Sequence, residues 1–287
     1  MISGTLTVLR TIAETRVWVA DQRRAGRSVG LVPTMGALHA GHLSLIARSA
    51  ASCDRTIITI FVNPLQFGPG EDFERYPRTW DRDCELVSGA GAHAVFSPEP
   101  TEMYSGPQQI YVEPGQLAEP LCGAFRPGHF RGVATVVAKL FNIVPADRAF
   151  FGQKDAQQAI IIQNMVRELN MPLEIVVCPI VREPDGLAMS SRNAYLSVED
   201  RARALVLSRA LGKAAADFRS GTRDATQLEN RMREMITAVD GVKMDYARVV
   251  DRDSLATITR VERPALAAVA VRFGGTRLID NVILDPQ

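Results

Sequence analysis

The sequence predicts an α/β protein: a doubly wound parallel sheet followed by a smaller C-terminal α+β domain. Two observations carry this. Through about the first 180 residues, short continuously apolar runs alternate with segments of helical composition and length. After Pro179 that order stops, and a turn-rich stretch, two long helical stretches and three β-like segments close the chain. Short apolar runs of this kind suit strands covered on both faces, and strand–helix alternation argues for a parallel, Rossmann-like sheet. The reading places a Rossmann-like domain over 1–180 and an α+β lid domain over 181–287.

Taken in order, "VGLVP" (29–33), "TIITIFVN" (56–63), "AHAVFSP" (92–98), "RAFFG" (148–152) and "LEIVVCP" (173–179) read as strands. Between them "HLSLIARSAAS", "DRDCELVSGAG", "GVATVVAKLFNIV" and "DAQQAIIIQNMVRELN" read as helices. "VREPDGLAMSSRNAYLS" (181–197) is polar and rich in turn formers. Helical stretches follow near 198–219 and 224–238, then the β-like "KMDYARVVD", "ALAAVAVRFG" and "TRLIDNVIL". There is no internal repeat and no low-complexity segment.

Composition excludes several classes of function. Thirty-three Lys+Arg against 32 Asp+Glu leave a formal charge of +1, which favours neither nucleic acid nor an acidic membrane surface. No run reaches the roughly 18 apolar residues of a membrane span, and "MISGTLTVLRTIAETR" lacks a signal peptide's apolar core. Cys53, Cys84, Cys122 and Cys178 stand apart, without the Cys-x-x-Cys spacing of zinc or redox sites. Scattered thiols in a chain of this size suit a reducing compartment, so the expectation is a cytoplasmic enzyme.

"VPTMGALHAGH" (32–42) carries the first chemistry, since it turns from a strand into a helix. In open α/β sheets, ligands bind beyond the carboxyl ends of the strands, where this turn sits. Gly36 and Gly41 let backbone approach a ligand, and the helix N-terminus offers N–H groups with a favourable dipole. His39 and His42, three residues apart, share one helix face and could both meet a phosphate above it. A metal pair is disfavoured, because no carboxylate or third histidine stands at ligand spacing nearby.

"AFFGQKDAQQ" (149–158) repeats the logic, with Lys154 and Asp155 opening a helix after Gly152. The lysine could reach phosphates as a point charge; the aspartate could cap the helix or accept from a ribose hydroxyl. In "DGLAMSSRNAYLS" (185–197), Ser190, Ser191 and Arg192 offer hydroxyls and a guanidinium fork to a polyphosphate, or form a serine-rich linker with an incidental arginine. Asn63 and Gln66 of "FVNPLQFG" could hold a small polar substrate, or could simply mark a turn in which Pro64 ends the strand. His129 of "RPGHFRGV" reads as a turn histidine, and His93 as a structural residue of a strand.

Together "PTMGALHAGH", "FVNPLQFG", "YPRT", "RPGHFRGV", "FGQKDAQQ", "GLAMSSRNAYL" and "TRLIDN", in order over about 32–281, resemble the pantothenate synthetase (pantoate–β-alanine ligase) family. His-x-Gly-His alone marks only the wider nucleotidyltransferase superfamily; the full set is more specific. The resemblance implies that ATP and pantoate give pantoyl adenylate and pyrophosphate, and that β-alanine then displaces AMP. It makes His42 the proton donor with His39 beside it, and gives Lys154 and Arg192 the positive charge at the phosphates. Met35, Gly36, Ala37, Leu38, His39, Ala40, Gly41 and His42 would form one wall of the ATP site. Gly152, Gln153, Lys154, Asp155, Val181, Met189, Ser190, Ser191 and Arg192 would form the rest. Gln66 and Gln158 would grip pantoate, Gln66 would also meet β-alanine, and Asn63 and His129 join the expected substrate-binding set. Family members are usually homodimers that use Mg²⁺ with ATP.

The chain departs from the family's pattern at Ala40, where Glu is usual, at Gln153, also usually Glu, and at Ala156, usually Tyr or Phe. Ala156 removes a ring beside Gln158 and bears on how tightly pantoate is held. Asp81 and Asp83 are weak metal candidates with Arg82 between them, so the metal ligands stay unassigned. Two other readings compete: an adenylyltransferase of the same superfamily acting on a different small carboxylic acid, and a nucleotide sensor without catalysis. Retention of His39, His42, Lys154 and Arg192 together argues against a sensor.

Overall fold

The computed structural model describes residues 6–286. By contacts the chain divides into two units. The first takes residues up to Ala118, then Arg126–Gly152 and Gln158–Pro179; the second takes Glu119–Phe125, Gln153–Gln157 and the chain from Ile180 onward.

The first unit is built on β1 (Thr7–Leu9), β2 (Val29–Thr34), β3 (Arg55–Ile60), β4 (Ala94–Phe96), β5 (Arg148–Gly152) and β6 (Glu174–Cys178). These six strands pair in the order β1-β4-β3-β2-β5-β6, and every pairing is parallel. Its helices include α1 (Ile12–Arg24), α2 (Ala40–Ala50), α3 (Trp80–Gly89), the single-turn α4 (Pro100–Met103), and, beyond the short α5 (Cys122–Phe125) of the second unit, α6 (His129–Ile143). α7 (Ala156–Glu168) follows β5.

Side chains alternate across a strand, so a sheet covered on both faces must be apolar at consecutive positions. Leu31 and Ile57 pack with Val133, Val137 and Phe141 of α6. Their neighbours Val32 and Ile58 pack instead with Leu45 and Ile46 of α2 and Val87 of α3. The continuous apolar runs are thus two cores read through one sheet, and the doubly wound expectation holds.

β2 is the switch point: β3 and β4 extend from one side of it, β5 and β6 from the other. A crevice opens beyond the carboxyl ends of the strands where the winding reverses. The turn carrying His39 and His42 leaves β2 at that end.

In the second unit α8 (Val198–Ala204), α9 (Val206–Arg219) and α10 (Ala225–Thr237) accompany β7 (Val242–Asp251), β8 (Ala265–Phe273) and β9 (Thr276–Leu284). The three strands form an antiparallel sheet in the order β7-β8-β9. Leu207, Ala210, Leu211, Ala214 and Phe218 recur at helical spacing along α9 and are buried with Val249, Ala267 and Val269 of the sheet.

Several expected elements shift. The run 56–63 is strand only to Ile60, because Asn63 and Pro64 open a short 3₁₀ turn, Pro64–Gln66. His93 lies just outside β4; its N–H donates to the Thr56 carbonyl at 2.8 Å, and its Nδ1 accepts from the Thr56 N–H. The stretch near 198–219 is two helices meeting at Leu205. β1 and α1 have no counterpart among the expected elements. Among the described residues, no helix is long and apolar enough to cross a membrane.

Candidate active site

Thr34 ends β2, and its hydroxyl donates to the Thr59 carbonyl of β3 at 2.6 Å. The backbone then turns left-handed at Gly36 (φ +81°) and Ala37 (φ +50°). Gly36 is required twice over: its conformation disfavours a side chain, and an added Cβ would sit 3.0 Å from Ile60 Cγ2. His39 follows in extended conformation as the N-cap of α2.

The two imidazoles cap that helix themselves. His39 Nδ1 accepts from the Gly41 N–H at 3.2 Å, and His42 Nδ1 accepts from the His39 N–H at 3.3 Å. Ring centroids lie 4.0 Å apart. An imidazole that accepts at Nδ1 and is neutral carries its proton at Nε2. In their neutral form both rings therefore carry the proton at Nε2. The Ala37 and Leu38 N–H groups are not part of this surface, because both donate to the buried carboxylate of Asp83.

The 3₁₀ turn after β3 meets the turn after β2, where Gln66 Nε2 contacts Met35 Sδ at 3.1 Å. Asn63 is 1 % exposed, and its amide is committed within the fold. Nδ2 donates to Gln66 Oε1 and the Gly132 carbonyl; Oδ1 accepts from the Tyr104 hydroxyl at 2.8 Å and from the Leu65 N–H. α6 lies so close to this turn that a Cβ on Gly132 would collide with the Leu65 carbonyl. Asn63 holds Gln66 in place, while Gln66 and Gln158 are only half-buried.

His129 is likewise engaged at both ring nitrogens. Nδ1 donates to the Gln66 carbonyl at 2.8 Å, so Nε2 accepts from Arg126 Nη1 at 2.9 Å. Arg126 also forms a two-point pair with Glu71 at 2.7 and 2.6 Å. Burial alone would raise the Glu71 pKa, but the hydrogen bonds and charge of Arg126 hold it below its ordinary value. Arg126 and Glu71 carry no role in the sequence reading; the Arg-Pro-Gly-His motif was the available signal. Gln66 is thus clamped through its side chain by Asn63 and through its backbone by His129 and Arg126.

In the second unit, Gln153–Asp155 form a 3₁₀ turn. Lys154 is half-buried and Asp155 exposed, with 3.7 Å between Nζ and Oδ1. Asn281 of β9, 3 % exposed, donates from Nδ2 to the carbonyls of both Gln153 and Lys154 at 2.9 and 3.0 Å. Gln157 is spent structurally, accepting from the Cys122 N–H and donating to the Pro120 carbonyl.

The 181–197 stretch opens with a short hairpin, in which Arg182 and Ala188 form an antiparallel bridge. The Met189 N–H donates to the Val181 carbonyl, and Arg182 pairs with buried Asp280 through both terminal nitrogens at 2.7 and 3.0 Å. Ser190 caps a 3₁₀ turn, Ser191–Tyr195, through the Arg192 N–H. Lys154, Ser190, Asn193 and Asp280 line one recess. Neither Asn281 nor Asp280 was singled out in the sequence, although both stand in "TRLIDN".

For Mg²⁺ the donor set does not fit a protein cage. Asp83 has its oxygens on two N–H groups and the Thr79 hydroxyl. Among the described residues, no group of three His, Cys, Asp or Glu could hold a metal ion.

The chain is a doubly wound α/β protein with paired imidazoles on a helix cap beyond its switch-point strand, the place where ligands bind in such sheets. Comparison with known proteins narrows this class. A family profile described as pantoate-beta-alanine ligase matches residues 7–283. Pantothenate synthetase of Pelotomaculum thermopropionicum is 53 % identical over 279 residues, 97 % of this chain and 99 % of the relative. Pantothenate synthetase 1 of Bradyrhizobium diazoefficiens is 53 % identical, covering 97 % and 98 %.

Among solved structures, pantothenate synthetase from Thermus thermophilus superimposes with a TM-score of 0.92 at 43 % identity, over 98 % of this chain and 100 % of that one. Pantoate-beta-alanine ligase from Francisella tularensis, complexed with beta-gamma ATP and beta-alanine, gives 0.78 at 29 % identity, over 97 % and 98 %. The chain belongs to the pantoate–β-alanine ligase family.

Proposed function

We propose that this chain condenses pantoate with β-alanine in an ATP-dependent ligation that passes through enzyme-bound pantoyl adenylate. The carrying observation is the pair of Nε2–H imidazoles on the cap of α2, with the clamped Gln66 reaching Met35 of the same turn. Pantoate's carboxylate attacks the α-phosphorus of ATP and pyrophosphate leaves. The amine of β-alanine then attacks the acyl carbon, AMP leaves, and the amine's proton is released. A carboxylate is a poor acyl donor, and the mixed anhydride solves that without an enzyme nucleophile.

His42 donates from Nε2 toward the departing phosphate oxygen, with His39 beside it. Residues 35–42 form the first wall of the ATP site; Gly152–Asp155, Val181 and Met189–Arg192 form the rest. Lys154 and Arg192 supply charge at the phosphates. Gln66 and Gln158 hold pantoate, and Gln66 also meets β-alanine. Asn63 and His129 contribute through Gln66. Positioning of this kind is worth roughly 7–11 kcal/mol.

Mg²⁺ enters held by ATP phosphates and water. Residues 1–180 act as the nucleotide- and pantoate-binding domain and 181–287 as the lid domain. The working form is a cytoplasmic homodimer, as the family usually is; light scattering on the purified protein tests the stoichiometry.

Product analysis with Mg²⁺-ATP, pantoate and β-alanine, omitting each in turn, tests the reaction. AMP and pyrophosphate should accumulate catalytically only when both substrates are present. Turnover with another carboxylic acid but not pantoate would overturn the substrate assignment.

A further inference from the structure

Asp83 is 1 % exposed and lies in the first turn of α3. Its oxygens accept from the N–H groups of Ala37 at 2.9 Å and Leu38 at 2.8 Å, and from the Thr79 hydroxyl at 3.1 Å. Burying a carboxylate is costly unless fixed dipoles replace its water. Here two amides, a hydroxyl and the positive end of α3 do so.

The amides belong to an unusual stretch. Gly36 and Ala37 are successive left-handed residues, and Ala37 pays the steric cost that glycine avoids. Successive N–H groups in such a turn make a concavity that binds anions. In this chain the concavity is filled from inside by Asp83. The next residue along, His39, is the N-cap of α2, and its N–H is the donor that orients His42.

We propose that Asp83 is a positioning residue for the two imidazoles: by occupying the concavity at 36–38 it fixes the left-handed turn and sets the rings against the transferring phosphate. It also keeps the Ala37 and Leu38 amides from competing for nucleotide oxygens. The inference rests on the functional reading above, since the phosphate is the one that reading supplies.

Asp83→Asn keeps the shape but leaves one amide facing another donor. Pyrophosphate release should slow by about 10²-fold, the scale of a small misplacement of reacting groups. The KM for β-alanine should stay within about two-fold, and the protein should remain folded. Ser49→Ala, which breaks the buried Ser49–Thr56 hydroxyl bond in the same unit, is the stability control and should keep near wild-type kcat.

Gly36→Ala strains the same turn from the other side, its Cβ lying 3.1 Å from Asp83 Oδ2. It should share the signature, and the double variant should lose little more than either single one. A kcat in Asp83→Asn no lower than in Ser49→Ala overturns the proposal. So do additive losses in the double variant, and so does rescue by raised Mg²⁺, which would make Asp83 a metal ligand.

Wild-type protein without pantoate-dependent turnover would defeat the functional reading instead. The hold on the turn is then read from the imidazole NMR shifts of His39 and His42, which Asp83→Asn must move.

Discussion

His39 and His42 each accept a backbone N–H at Nδ1, which makes both rings partly structural. His42→Ala therefore loses a helix-cap acceptor together with the proton donor. We expect turnover to fall by roughly 10²–10⁴, the usual loss for a general acid or base. Losing the cap alone should cost only about 1 kcal/mol of stability, so the variant should fold. A folded His42→Ala with near wild-type turnover would remove His42 from the mechanism. Lys154→Ala should slow the single-turnover release of pyrophosphate more than it raises the KM for β-alanine; an unchanged burst rate would sink its role at the phosphates. The identity of these groups was legible from the string, since His-x-Gly-His after an apolar strand names its own place. The tautomers were not, because they depend on which amides the folded turn brings to each ring. Asn63 shows the same limit: sequence offers an amide beside Pro64, and only packing against Tyr104 and Gly132 shows that the amide is buried and holds Gln66.

Elements were legible in proportion to how much of their pattern is local. The central strands announced themselves because β2 and β3 are buried on both faces and read as unbroken apolar runs. β1 has only three residues, two of them exposed, and gives no pattern to count. α1 buries little beyond Thr15 and Val19, so its apolar stripe is faint. Its start was nonetheless written in the sequence, as Thr11 and Glu14 form a capping box. The Gln153–Asp155 turn depends on a partner 127 and 128 residues away in sequence, Asn281, and no local pattern could supply that. Asn281→Ala would leave two carbonyls without their shared donor. The expected cost is about 1–3 kcal/mol of stability and a raised KM for ATP, since the turn carries Lys154. Equal melting temperatures and equal KM for ATP in variant and wild type would show that the turn holds its shape without Asn281.

At the scale of the molecule, three groups that titrate on the acid side are all shifted downward. His93 is held below its ordinary 6.5, first by burial and then by the charge of Arg55 and Arg27. Glu71 is held below 4.5 and Asp251 below 3.8; in both, burial pushes the other way and is outweighed, by Arg126 for Glu71 and by Ser254 for Asp251. A group whose folded pKa is depressed binds more protons in the unfolded chain, so stability rises with pH across its window. These contributions are complete above the ordinary values and are lost as pH falls toward the folded ones. Stability should therefore erode in two stages on acidification: first just below pH 6.5 through His93, then below about pH 4.5 through Glu71, joined below about pH 3.8 by Asp251. Glu71 belongs to the first unit and Asp251 to the second, so the acid stage weakens both. Melting temperatures measured from pH 8 down to about pH 3 test this. His93→Gln should flatten the upper stage and leave the lower one, and Glu71→Gln should shrink the lower stage alone. A wild-type melting temperature that stays level, or rises, between pH 7 and pH 5.5 would mean that the half-buried imidazole is not held neutral.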